Sequence, residues 1–162
     1  MMNPAISEKS TARFHPDATW HMLIQAAAHE VFHMMAGIEV QSGDFPPEPQ
    51  AGEVSAMVGL AGALCAVFRI RCPQDVAENI ATKMLGGQDD PSQICDAMGE
   101  ICNMVAGNFK NKISGLSDQC MLSVPTVVVG GDFNVYSSSQ ERVAVTLTYD
   151  GRPVWLTLEI SS

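Results

Sequence analysis

The sequence is short of basic side chains, of paired cysteines and of long apolar runs. Lys and Arg number 9 against 18 Asp and Glu, a formal charge of −9. A chain of that sign repels phosphate backbones, so no nucleic acid partner is expected. It also gains nothing from an anionic membrane surface. The longest stretch without a charged or strongly polar side chain, Ala56 to Phe68, falls short of the ~20 apolar residues that span a bilayer. The first residues, MMNPAISEKSTARF, lack an apolar signal core, and a cytoplasmic protein is the expectation. Cys65, Cys72, Cys95, Cys102 and Cys120 form no C-x-x-C pair, which predicts free thiols in a reducing compartment.

What is present suits one globular domain. The 162 residues are 46% hydrophobic and 17% charged. A chain of this length buries roughly two thirds of its unfolded surface, so it needs no metal or disulfide to fold. Residues 1–16 read as an N-terminal arm and 17–162 as the domain. Trp20, Leu23, Ile24, Ala27, Val31, Met34 and Met35 recur at three- and four-residue spacing, predicting a helix over 17–36 that stops at Gly37. Ser42–Gly52, with three prolines, reads as a loop. Glu53 to Arg71 reads as two strands about a turn near Ala61-Gly62, followed by a short helix over Gln74–Leu85. Asp89-Asp90-Pro91 opens a second long helix over 91–114.

Beyond Gln119 the period changes to two. Asp150-Gly151 is a two-residue hairpin signal that pairs Leu147 with Val154, Val145 with Leu156 and Val143 with Leu158. All three pairs are apolar and share a face, so the register supports itself. Further strands are expected at Met121–Val129 and about Asn134–Ser138. The expected class is α+β: a largely antiparallel sheet with the two long helices, 17–36 and 91–114, packed on one face.

Two polar patterns bear on function. His29-Glu30-Val31-Phe32-His33 satisfies H-E-x-x-H, which on a helix can hold zinc with the Glu polarising water. A catalytic zinc site wants three protein ligands, and no histidine follows His33. A metal site is therefore not predicted, and a zinc hydrolase is kept only as an alternative. The second pattern lies on the helix at 91–114. Asp96, Glu100, Asn103 and Gly107 fall within about 60° of one another on the helical wheel. They lie opposite a core stripe of Ile94, Ala97, Met98, Ile101, Met104, Val105 and Phe109. Glu100 and Asn103 are three apart, so their side chains are neighbours. The ridge presents a carboxylate, a carboxamide and a glycine that lets another surface approach.

Asp96-x3-Glu100-x2-Asn103, the following Met104-Val105-Ala106-Gly107 and Pro125 beyond them resemble the CheC/CheX/FliY chemotaxis phosphatase family, and a CheX-like single-site member in particular. The resemblance implies hydrolysis of the aspartyl phosphate of a CheY-like response regulator. On this sequence Glu100 would pair with a regulator lysine and Asn103 would hold the attacking water. Asp96 and Gly107 would lie in the contact with the regulator. No cofactor would be bound by this chain; magnesium would sit on the regulator. A homodimer is also implied. Glu30-x2-His33 takes the place of a second site but has histidine where the family has asparagine, so no catalysis is carried to it. The alternative is a non-catalytic module that binds the receiver domain with the same ridge.

Overall fold

The computed structural model describes residues 14–44, 52–87, 90–130 and 141–161. Helix α1 spans Trp20–Ala36, α2 Gln74–Leu85 and α3 Pro91–Asn111. The strands are β1 (Gln41–Ser42), β2 (Glu53–Gly62), β3 (Ala66–Pro73), β4 (Cys120–Leu122), β5 (Thr126–Val129), β6 (Glu141–Tyr149) and β7 (Arg152–Ile160). They form one sheet in the order β1-β6-β7-β3-β2-β4, with β5 also paired to β2, and every pairing is antiparallel. The class is α+β, as the periodicity predicts. The expected strand at 134–138 and most of the 42–52 loop lie outside the described residues.

Local rules account for the elements. Asp150 (φ 51°) and Gly151 (φ 72°) both take positive φ, the geometry of a two-residue hairpin whose twist matches its strands. The β6–β7 register then pairs Leu147 with Val154, Val145 with Leu156 and Val143 with Leu158. Asp90 caps α3, its carboxylate accepting from the Ser92 amide at 2.9 Å, with Pro91 following in the first turn. Gly37 ends α1 in the left-handed region, its amide donating to the His33 carbonyl.

The helices lie over the face carrying Val58, Phe68, Ile70, Leu147, Leu156 and Leu158, all fully buried in one continuous core. Trp20 of α1 meets Phe109 of α3 edge to face, with ring centroids 5.5 Å apart. Two details depart from the helical wheel. Ala28 and Phe32 are buried in α1, while Met34, expected in its stripe, is 64% exposed. Helix α1 packs against α3 as well as the sheet, and this second contact rotates its buried arc toward Phe32. In α3 the buried arc widens to take in Gly99, Cys102 and Ala106, while Ile94 and Met104 sit at its margin. Burial pushes the Cys102 thiol up to about 12, and its Sγ lies 3.4 Å from the Ala56 carbonyl oxygen of the sheet. It is a small packing residue rather than a nucleophile.

The stretch expected as one strand over Met121–Val129 is two strands. Ser123 interrupts the ladder: its amide donates to the Gly59 carbonyl at 2.8 Å, and its Oγ accepts from the Gly59 amide at 2.8 Å. Pro125 has no N–H to offer, so the pairing resumes only at Thr126.

Candidate functional site

Helix α3 carries the whole polar ridge, and the ridge faces away from the core. Asp96 and Glu100 are exposed, while Asn103 and Gly107 are half-buried. Neither the Glu100 carboxylate nor the Asn103 carboxamide makes a side-chain hydrogen bond among the described residues. The two lie one turn apart on one face of a helix whose opposite side is locked to the sheet. Their backbone is therefore rigid and their polar groups are unspent.

Structure flanks the ridge on both sides. On one side runs the β4–β5 connection. A Cβ on Gly99 would lie 3.4 Å from Pro125 Cγ and 3.4 Å from Val127 Cγ2, and a Cβ on Gly107 would lie 3.5 Å from Leu122 Cδ1. The surface that comes close to Gly107 is thus the chain's own Leu122. Pro125 is brought to the residue preceding Glu100, although it is distant in sequence. Lys110 anchors the start of this connection, its Nζ donating to the Cys120 carbonyl at 2.7 Å and to the Ser117 carbonyl at 3.1 Å.

On the other side runs α1. Glu30 reaches across to α3, with Lys112 Nζ at 2.7 Å from Oε1 and Asn108 Nδ2 donating to Oε2 at 2.9 Å. Those bonds, Lys112 first and then Asn108, hold the Glu30 carboxyl below the usual carboxylate range. His33 turns instead to Glu39, with Nδ1 2.7 Å from its carboxylate. The H-E-x-x-H string thus supplies an interhelical clasp and a local pair. Among the described residues no group of three or more His, Cys, Asp and Glu side chains could hold a metal.

Gly99 is the site residue that sequence reasoning missed. Glycine inside a helix costs roughly 1 kcal/mol against alanine, and that cost is the available signal. Alanine at 99 would gain helix propensity but sit at the tight limit of contact with Pro125 and Val127, and with the two effects offsetting, Gly99→Ala is expected to be close to neutral. Gly99→Leu has no room without displacing the connection, and is expected to destabilise by about 1–3 kcal/mol. Urea unfolding of the two variants against wild type measures the difference.

The two long helices lie on the same side of an antiparallel sheet, and the second carries Glu100 and Asn103 away from it. The family model described as chemotaxis phosphatase CheX matches residues 54–148, more than half of the chain. The chain belongs to that family. Among solved structures it is similar to a chemotaxis protein CheX from Desulfovibrio desulfuricans, with 22% identity and TM-score 0.75, over 88% of this chain and 99% of that one. It is similar to CheX from Vibrio vulnificus, with 20% identity and TM-score 0.76, over 91% and 100%. It is also similar to a chain of the CheX–CheY complex from Borrelia burgdorferi, formed with BeF3 and magnesium, with 20% identity and TM-score 0.73, over 88% and 98%. No curated protein matches the chain in sequence. Among the described residues no helix is long and apolar enough to cross a membrane.

Proposed function

We propose that this chain hydrolyses the aspartyl phosphate of a CheY-like response regulator, with Glu100 and Asn103 as its working residues. One observation carries the reading above the others: the two side chains stand together on the outward face of α3 with no hydrogen-bond partner among the described residues. Glu30 and Asn108, by contrast, are spent on each other within the fold. Membership of the chemotaxis phosphatase CheX family supports the same reading. So does the CheX–CheY pairing in the similar Borrelia structure.

The chemistry suits the residues. An acyl phosphate is already activated, so the catalyst mainly has to place water in line with phosphorus. The Asn103 carboxamide can both donate to and accept from that water, and it brings no charge near the phosphoryl dianion. Water attacks phosphorus, the bond from phosphorus to the aspartyl oxygen breaks, the aspartate leaves as a carboxylate, and both water hydrogens leave with the phosphate as dihydrogen phosphate. Glu100 offers a lysine of the regulator a charge-assisted hydrogen bond. Asp96, one turn earlier, extends the contact, and Gly107 borders it where Leu122 packs against the helix. Magnesium belongs to the regulator's side of the complex.

The experiment is phosphate release from a phosphorylated CheY-type receiver with and without this protein. Accelerated release supports hydrolysis. Binding with unchanged release would instead make the ridge a receiver-binding module. A homodimer and a cytoplasmic location belong to the same reading, and sedimentation and cell fractionation check them.

A further inference from the structure

The Ser123–Pro125 connection holds one apolar side chain outside the fold. Val124 is 84% exposed. Both of its neighbours are fixed: Ser123 by its two hydrogen bonds with Gly59, and Pro125 by its packing at Gly99. The Ser123 hydroxyl also donates to the Val124 carbonyl at 3.0 Å. The chain passes from Leu122 beside Gly107 to Pro125 beside Gly99, and Asn103 lies midway between those two glycines on α3. Val124 therefore projects on the flank of the turn that carries the carboxamide.

A lone exposed valine needs no explanation. The backbone on either side of this one is pinned, beside a polar pair that has no hydrogen-bond partner among the described residues. We propose that Val124 is a specificity contact for the phosphorylated receiver domain, seated against an apolar side chain at the rim of the receiver's phosphorylation pocket. The proposal rests on the ridge reading above. A body that delivers a phosphoryl group to Asn103 must also cover the flank of α3. A side chain already fixed in place loses little freedom when that happens. The contact discriminates among receivers by the side chain they carry at the rim, because the acyl phosphate is common to all of them. It touches the body of the receiver and not the reacting atoms. Its loss therefore weakens ground state and transition state alike, raising KM and leaving kcat.

The test compares Val124→Ser and Val124→Leu with the wild-type chain. KM and kcat are read from phosphate release, and Kd from titration with a receiver carrying beryllium trifluoride and magnesium. Circular dichroism confirms the fold, which an exposed position leaves intact. Val124→Ser is expected to raise KM and Kd about tenfold at unchanged kcat, and Val124→Leu to keep wild-type values. If Val124→Ser stays within about twofold of a wild-type chain that binds and hydrolyses, this inference is overturned and the ridge reading stands. A wild-type chain that binds without hydrolysing overturns the hydrolytic reading, and the Kd shift still decides the role of Val124. A wild-type chain that binds no loaded receiver overturns both.

Discussion

Replacing Asn103 by alanine is expected to slow dephosphorylation of the regulator by about 100-fold or more, with little change in its binding. Asn103 is half-buried on the outward face of α3, and its neighbours in the core, Cys102, Val105 and Ala106, hold the helix in place without it. Removing the carboxamide therefore leaves the ridge where it is. In the proposed mechanism, what disappears is the group that orders water, and that interaction matters only as the phosphorus–oxygen bond breaks. An effect of this kind lowers kcat and kcat/KM together. Glu100→Ala is expected to behave differently. It removes the proposed charge-assisted hydrogen bond to the regulator, worth about 1.5–3 kcal/mol, so it is expected to weaken binding by roughly 10- to 100-fold. Stopped-flow phosphate release with each variant, beside titration with a receiver carrying an acyl phosphate mimic, separates the two roles. Equal loss of binding in both variants, with unchanged kcat, would reduce the ridge to a docking surface.

Parts of this design are legible in sequence because they obey local rules. The hairpin at Asp150-Gly151 is one, since turn chemistry and apolar alternation give the same register. The polar ridge is another. A helix core stripe predicts which residues are left outside, and Asp96 and Glu100 are exposed opposite Ile101 and Val105. The flanks of the ridge are not legible in this way. Whether Met121–Val129 is one strand or two depends on Ser123 meeting Gly59, far away in sequence. Pro125 signals an interruption, yet nothing local brings it to Gly99. The exposure of Met34 and burial of Phe32 likewise depend on α1 packing against other helices as well as the sheet, which a helical wheel does not contain. The H-E-x-x-H string shows the same limit. Its chemistry is decided by Lys112 and Asn108, which sequence separation hides and the α1–α3 crossing supplies.

The crossing also carries the largest expected loss of stability. Phe109 is fully buried on the last full turns of α3, with the Trp20 ring edge-on to it. Phe109→Ala removes that contact and leaves a cavity between α1, α3 and the sheet, at an expected cost of about 3–5 kcal/mol. For a domain of this size that lowers Tm by roughly 10–15 °C. The polar clasp does not compensate, because Glu30 is exposed where it meets Lys112 and ion pairs in water add little. Turnover per folded molecule is expected to fall far less than in Asn103→Ala. The Gly99–Pro125 contact and the start of α3 stay in place, and they position Glu100 and Asn103. Thermal unfolding and single-turnover assays below the new Tm check both halves. A Phe109→Ala protein with near-normal Tm, or one folded but as inactive as Asn103→Ala, would mean that the ridge is placed by something other than this packing. The expected separation has a physical reason: stability comes from the buried side of α3, the proposed recognition uses its exposed side, and the rigid helix is what links them.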